Sequence, residues 1–257
     1  KEFPDTMPNI LIRNIEDVRS RSVVFLCSLE PAKMFREISV MYALPRYLVS
    51  NFIVVLPFLS TGTMERIEYE GYVATAKTMI RLLSATPLCS NGPMKCLIYD
   101  IHALQERFYF GDSVIPVLIS AIPIFLDWLK HQTDQNNIAI AFPDAGAVKR
   151  FASLFKGFEL ICCMKTRSGD QRHVTLKYGD PKDKHVFLVD DLVQTGGTLL
   201  SSKNLLYKEG AKHVSAFVTH GVFPQESWKK FTPQNDPKPF KHFLLTNSVP
   251  NTAKILQ

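Results

Sequence analysis

Two adjacent carboxylates followed by a turn rich in glycine and threonine are the stretch of this sequence best suited to chemistry. The apolar run 185–189 leads directly into Asp190 and Asp191, which is typical of a buried parallel strand with acidic side chains at its carboxyl end. Ligands bind at that end of open α/β sheets. Thr195, Gly196, Gly197 and Thr198, here called the glycine turn, come next, before a predicted helix over 199–209.

The glycine turn has the composition of an anion site. Its glycines allow positive φ and a close approach of backbone N–H groups, and its two threonine hydroxyls add donors at the positive end of a helix. The turn therefore favours a phosphate. The aspartate pair cannot share that anion, so we expect it to accept hydrogen bonds from hydroxyl groups or to hold a divalent cation. A phosphate beside vicinal hydroxyls describes a ribose phosphate, whereas an ordinary βα turn is the alternative.

The same stretch resembles the phosphoribosyl-pyrophosphate binding motif of type I phosphoribosyltransferases and phosphoribosyl pyrophosphate synthetases. This resemblance implies that Asp190 and Asp191 face the ribose hydroxyls and that the glycine turn holds the 5-phosphate. Gln194 stands where the synthetases commonly carry a third acidic residue. We include it among the candidate ligands of ribose 5-phosphate.

A second acidic strand end is predicted at 95–102. Period-two geometry places Asp100 and His102 on one face, where they could bind a metal–nucleotide complex. An aspartate that caps the next helix beside a satisfied histidine is the alternative. The run 100–110 resembles the Asp-Leu-His box of the synthetases, which implies that His102 binds ATP and that Asp100, His102 and Asp112 belong to a magnesium–ATP site.

Two further boxes carry charged residues. Pro143-Asp144-Ala145-Gly146 follows the predicted strand 138–142 and resembles a synthetase box that places Asp144 near the ribose phosphate. The basic pair Lys149 and Arg150 comes next, either near that site or on a solvated helix face.

Lys165 and Arg167 follow the predicted strand 160–164, and extended backbone projects them to one side, within reach of one polyphosphate. A solvated loop is the alternative. Their place in the sequence resembles the mobile catalytic loop of the synthetases, whose Lys and Arg act on the transferred group.

Composition narrows the class of protein. The chain has 257 residues, 46% of them apolar, and a formal charge of +6 spread along its length. That distribution fits small anionic ligands better than a nucleic-acid surface. Five cysteines without metal-ligand spacing predict buried thiols in a reducing compartment, which we take to be the cytoplasm, with an organellar matrix as the alternative. No signal peptide is visible, and the apolar region 114–129, interrupted by prolines, predicts a core helix and no membrane insertion.

The alternation of strand and helix patterns predicts an α/β fold. The resemblance implies two similar phosphoribosyltransferase-type domains, each a mainly parallel sheet flanked by helices. We place the first at 1–116, on the ATP side, and the second at 117–257, on the ribose 5-phosphate side. The first βα unit of the family is expected to be missing from 1–116.

The resemblance is strongest to the plant-type, phosphate-independent synthetases. It implies transfer of the diphosphoryl group of Mg²⁺-bound ATP to the 1-hydroxyl of ribose 5-phosphate, and assembly into a homo- or hetero-oligomer of related subunits. Phe3 and Asp5 are candidates for the ATP site of such an assembly. The alternatives are a catalytically weak scaffold subunit of a larger complex and a phosphoribosyltransferase.

Overall fold

The structure, a computed structural model, describes residues 7–132, 137–168 and 171–256, without the side chains at 165–168, 171–173 and 256. The chain divides into two compact units, Lys1–Ile119 and Ser120–Gln257. The boundary that we expected after Pro116 falls within a strand of unit 1.

Unit 1 is built on four parallel strands in the order β1-β2-β3-β4. They are β1 (Ser22–Leu26), β2 (Asn51–Leu56), β3 (Met94–Tyr99) and β4 (Val114–Ile119). Helix α1 (Met34–Ala43) follows β1, and helix α2 (Thr75–Ser84) follows β2. Every second residue of β2 and β3 is buried, so one face of the sheet forms the core of the unit.

Unit 2 contains six strands in the order β10-β9-β8-β5-β6-β7. The β6–β7 pair is antiparallel and the other pairs are parallel. The strands are β5 (Ile138–Phe142), β6 (Glu159–Ser168), β7 (Gln171–Tyr178), β8 (His185–Val193), β9 (His213–Gly221) and β10 (Phe243–Leu245). Its helices are α3 (Ile122–Lys130), α4 (Ala145–Phe151), α5 (Gly197–Lys208) and α6 (Pro250–Leu256).

Both faces of the central strands of unit 2 are covered. All of β5 and the first five residues of β8 are buried, as continuous apolar runs in a parallel sheet require. On one face, the ring of Phe125 in α3 stacks on Phe217 of β9 at a centroid distance of 4.6 Å. The predicted α/β fold with mainly parallel sheets is confirmed in both units.

We predicted one core helix for the apolar region 114–129, and this prediction is wrong. The region forms the strand β4 and then the helix α3, with the break between the two units at Ile119 and Ser120. Pro116 lies in β4 at the edge of its sheet, where a strand tolerates a residue without an N–H. Apolar content alone cannot separate a buried strand from a buried helix.

The predicted loop after 164 is also different in the structure. Strand β6 continues to Ser168, and β7 returns beside it as a hairpin. We did not predict β7, an edge strand whose apolar alternation is limited to Val174, Leu176 and Tyr178.

The cysteines behave as expected. All five are buried, and none forms a disulfide. Burial raises the pKa of the Cys96 and Cys163 thiols to about 12, so both stay protonated and are poor nucleophiles at neutral pH. Among the helices of the described ranges, none is long and apolar enough to cross a membrane.

A buried ion pair fastens helix α5 to the chain that follows β9. Lys203 has only 1% of its surface exposed. Its ammonium pairs with the Asp236 carboxylate and donates to the Lys238 carbonyl at 2.7 Å. The carboxylate and the carbonyl accept the hydrogen bonds that the buried Lys203 ammonium cannot donate to water.

We predict that Lys203→Met lowers the free energy of unfolding by about 3–5 kcal/mol, because it leaves the Asp236 carboxylate buried without its cation. Urea melts of the full chain measure this change. The double variant Lys203→Met/Asp236→Leu should recover most of the loss, and Lys208→Met, at an exposed site on the same helix, should be neutral. A single variant as stable as the wild type would contradict the role of the pair.

Candidate active site

In unit 1, two neighbouring parallel strands deliver loops to the same edge of the sheet. The loop after β2 contains Gly62, and the loop after β3 contains Asp100 and His102. A Cβ placed on Gly62 would lie 3.1 Å from the Leu59 carbonyl oxygen and 3.8 Å from His102 Cβ. The first loop therefore lies against the histidine, and a side chain at Gly62 would be crowded by the Leu59 carbonyl of its own loop.

Asp100 and His102 do not follow the period-two geometry that we expected. Strand β3 ends at Tyr99, and Asp100 has a φ of 36°, in the left-handed region. Aspartate tolerates this conformation better than most residues. The turn leaves Asp100 buried and His102 half-buried, so the pair is placed by a turn and not by a shared strand face.

Asp112 is exposed and lies beyond a 3₁₀ segment, Leu104–Tyr109. Within the described residues, no group of three or more His, Cys, Asp or Glu side chains is arranged to hold a metal ion.

In unit 2, three carboxylates lie at the carboxyl ends of two neighbouring strands. Asp144 follows β5 after one residue, and Asp190 and Asp191 lie near the end of β8, which pairs with β5 in parallel. Asp144 is the N-cap of α4, and its Oδ1 accepts a hydrogen bond of 3.0 Å from the Ala147 N–H. The strand pairing therefore brings the acids of two sequence motifs to one place.

Asp191 forms an ion pair that the sequence did not predict. Arg150 of α4 lies 3.0 Å from an Asp191 oxygen, and both side chains are largely buried. The two aspartates alternate in burial along β8, with Asp191 buried and Asp190 partly exposed. We expected both aspartates to face a sugar. The structure adds an arginine partner for Asp191, and the sugar contact stays a prediction.

Asp190 occupies a strongly negative environment. Although part of the residue is exposed, its carboxyl group is enclosed by protein atoms, and this burial raises its pKa well above the usual value. The charges of Asp191 and Asp144 raise it further. The Asp191 N–H donates to Asp190 at 3.0 Å and acts in the opposite direction. A carboxylate in this position is stabilised by a ligand that brings hydroxyl donors or a cation.

The glycine turn connects β8 to α5, and its last two residues are the first two of the helix. Gly196 has a φ of 80°, and its carbonyl accepts from the Leu200 N–H at 3.0 Å, which starts the helix. The first N–H groups of a helix have no partner within it, so the turn presents donors at the positive end of α5. Thr195, Gln194 and Gly197 are exposed, and Thr198 is half-buried.

The remaining candidates are only partly accessible to description. Lys165 and Arg167 lie on β6, where their backbones pair with Val174 and Arg172, but their side chains lie outside the described part of the structure. Phe3 and Asp5 also lie outside it. The catalytic and ATP-binding roles of these four residues stay predictions.

Sequence reasoning missed one other feature of the site. The segment Pro224–Phe231, which follows β9, reaches the glycine turn. We made no prediction for this segment, because no residue pattern in it indicates what it contacts. The sequence identified Arg150 only as a member of the basic pair with Lys149 and did not indicate its partner Asp191.

Comparison with known proteins decides the family. The family model described as "Phosphoribosyl transferase domain" matches residues 125–232. The chain is 48% identical over 260 residues to ribose-phosphate pyrophosphokinase 4 of Oryza sativa subsp. japonica, covering 100% of the chain and 80% of that relative. The chain belongs to the ribose-phosphate pyrophosphokinase family.

Other members of the pyrophosphokinase family extend beyond the matched region. The chain is 48% identical to the chloroplastic isoform 3 of the same rice and to the mitochondrial isoform 3 of Spinacia oleracea, and it spans 64% of the length of each. A solved structure of phosphoribosylpyrophosphate synthetase from Mycobacterium smegmatis matches 100% of the chain and 87% of its own, with a TM-score of 0.72 at 22% identity. This likeness confirms the pyrophosphokinase fold.

We predict that Asp190→Asn stabilises the protein at neutral pH. Because the folded-state pKa of Asp190 is raised, its contribution to stability falls as the pH rises above about 4, where the unfolded chain ionises first. The variant should therefore melt at a higher temperature than the wild type near pH 7 and at a similar temperature near pH 4. Thermal melts across this pH range measure the difference.

Asp127→Asn, at an exposed site on α3, is the control for Asp190→Asn and should leave the pH dependence unchanged. An equal melting temperature of Asp190→Asn and wild type at neutral pH would contradict the crowding of the three carboxylates.

We predict that Gly196→Ala destabilises the protein by about 1–3 kcal/mol, since an alanine there is strained by the positive φ and collides with a ring. Its Cβ would lie 2.3 Å from Phe231 Cζ. Gly197→Ala is the matched control, because a Cβ at Gly197 meets no atom within 4 Å. Denaturant melts of the two variants should separate them, and equal stability would show that the turn relaxes freely.

Proposed function

We propose that this chain transfers the diphosphoryl group of ATP to the 1-hydroxyl of ribose 5-phosphate, giving phosphoribosyl pyrophosphate and AMP. The observation that carries the proposal is the pairing, in unit 2, of an acidic cluster with an anion-binding turn on consecutive elements β8 and α5. The family membership of the chain supports it.

The acceptor is assigned to unit 2. Asp190, with its raised pKa, gains most from the ribose hydroxyls, because their donors stabilise its charge. The second carboxylate oxygen of Asp144 can accept a hydrogen bond from the same sugar. Asp191 holds Arg150 by an ion pair. The glycine turn, with Gln194 before it, is left for the 5-phosphate, whose charge the acids would repel.

The nucleotide is assigned to unit 1. His102 can donate to a phosphate or a base, and we keep Phe3 and Asp5 as candidates for the same ATP site. Asp100 and Asp112 are oxygen donors of the kind that Mg²⁺ prefers, whereas an imidazole suits it less well. When bound there, Mg²⁺ would neutralise charge on the ATP phosphates.

Lys165 and Arg167 are proposed as the catalytic cations. Diphosphoryl transfer requires in-line positioning and stabilisation of charge on the phosphoryl oxygens, with little covalent help from the protein. Lys165 and Arg167 lie two residues apart on β6, where their backbones pair with those of Val174 and Arg172.

We propose further that the chain works as an oligomer of related subunits and that its compartment is reducing. The five buried, unpaired thiols support the latter. The rice and spinach relatives carry chloroplastic and mitochondrial names, which favours the organellar alternative over the cytoplasm.

The test is AMP release from ATP, ribose 5-phosphate and Mg²⁺ by the full chain. We expect Lys165→Ala and Arg167→Ala to lower kcat by about 10²- to 10³-fold, as loss of one stabilising donor does elsewhere, with little change in KM for ribose 5-phosphate. Omission of Mg²⁺ should abolish turnover.

Lys212→Ala, an exposed lysine before β9, is the control for the two cation variants. Binding of both substrates without turnover would favour the scaffold alternative. Release of pyrophosphate that depends on an added base would favour the phosphoribosyltransferase. An equal loss of kcat and of ribose 5-phosphate affinity would contradict the role of the two cations.

A further inference from the structure

The segment Pro224–Phe231, here called the covering segment, is an irregular 3₁₀ stretch that follows β9. Phe223, Gln225 and Glu226 all have positive φ, at 44°, 52° and 57°. Residues other than glycine adopt such φ angles at a cost in free energy, and they keep them where surrounding contacts fix the backbone. We therefore expect specific contacts to hold the backbone of the covering segment.

Three of these contacts fall on the glycine turn and the residue before it. The Ser227 hydroxyl donates to the Gln194 carbonyl at 2.8 Å. The Lys230 ammonium donates to the Thr195 carbonyl at 3.2 Å. The ring of Phe231 occupies the space next to Gly196 where a side chain would lie. Three consecutive residues thus meet three side chains of the covering segment.

The two hydrogen bonds orient two successive peptide planes. Within a trans peptide unit, the carbonyl of one residue and the N–H of the next point in opposite directions, and the described backbone contains no cis bonds. With the Gln194 carbonyl directed to Ser227, the Thr195 N–H points away from the covering segment. With the Thr195 carbonyl directed to Lys230, the Gly196 N–H points away as well.

We infer that Ser227 and Lys230 are positioning residues, which turn the amides of Thr195 and Gly196 toward the bound 5-phosphate. The inference rests on the proposed function, because that function supplies the phosphorylated sugar. An array of successive N–H groups with a fixed direction is an anion site. The covering segment fixes that direction before the ligand arrives, which reduces the ordering that binding must impose.

Anchors at both ends hold the covering segment in place. Phe231 packs in an aromatic cluster, with Phe223 and Phe243 at centroid distances of 5.6 and 4.9 Å. Beyond it, Asp236 is fixed to α5 by the buried Lys203. The donors at 227 and 230 therefore lie on backbone that is restrained on both sides.

Lys229 provides an internal comparison. It is adjacent in sequence, but its ammonium pairs with Glu226 at 2.6 Å and lies 5.7 Å from the Trp228 ring centroid. Removal of Lys229 changes the local charge as much as removal of Lys230, but it removes no bond to the glycine turn. The pair separates a positioning effect from a general loss of positive charge.

The experiment measures ribose 5-phosphate binding to the full chain by titration calorimetry, together with KM values and kcat. Ser227→Ala and Lys230→Met should each raise Kd and KM for ribose 5-phosphate by about 10-fold, the value of one hydrogen bond. The KM for ATP, kcat and the melting temperature should change little. Lys230→Arg should restore binding, and Lys229→Met should bind as the wild type does.

The outcomes separate this inference from the proposed function. Unchanged Kd values in Ser227→Ala and Lys230→Met, in an enzyme that forms phosphoribosyl pyrophosphate, overturn the inference and leave the function intact. The expected pattern of Kd values in a chain that releases no AMP supports the positioning role and overturns the function. A wild-type chain that does not bind ribose 5-phosphate overturns both, and equal weakening in Lys229→Met overturns positioning in favour of bulk charge.

Discussion

The repulsion among three carboxylates at the ends of β5 and β8 is the constraint on which the site of unit 2 depends. Parallel pairing of these strands forces Asp144 toward Asp190 and Asp191. The protein offsets part of the cost with Arg150, which neutralises Asp191, and part with the Ala147 amide that caps Asp144. For Asp190, the burial of its carboxyl and the charges of Asp191 and Asp144 outweigh the Asp191 N–H, and its pKa is raised.

The negative charge of this cluster also determines where the hydroxyl groups and the anionic group of a ligand can bind. A group with hydroxyl donors relieves the acids, whereas an anion is accepted only where backbone N–H groups outweigh them, at the amino end of α5. These two environments are a few residues apart on one strand–turn–helix. A sugar phosphate is polarised in the same way, so its orientation in unit 2 follows from electrostatics before any shape complementarity is considered.

Sequence reasoning succeeded where a local pattern determined the structure and failed where a distant partner did. The apolar runs of β5 and β8 and the glycines before α5 are local signals, and the structure follows them. Asp100 could not be placed by strand periodicity, because the chain turns at that residue with a left-handed φ.

The distant partners are the clearer failure. Arg150 meets Asp191 only because β5 and β8 are neighbours in the sheet, although the two residues are 41 positions apart in the sequence. The contacts of Ser227 and Lys230 fall on backbone carbonyls, and a carbonyl carries no residue type for a sequence pattern to detect. Strand β7 was missed because its apolar alternation is short, limited to Val174, Leu176 and Tyr178 after a polar start.

At Gln194, the side chain and the backbone carbonyl have different roles. The synthetases that this motif resembles commonly carry an acid there, and a further carboxylate beside β8 would add to the repulsion that already raises the pKa of Asp190. A neutral amide avoids that cost. The Gln194 carbonyl still receives the Ser227 hydroxyl, a bond that any residue type could accept. The orientation of the glycine turn is therefore independent of the side chain at 194, which leaves that side chain free to vary with the charge that the acidic cluster tolerates.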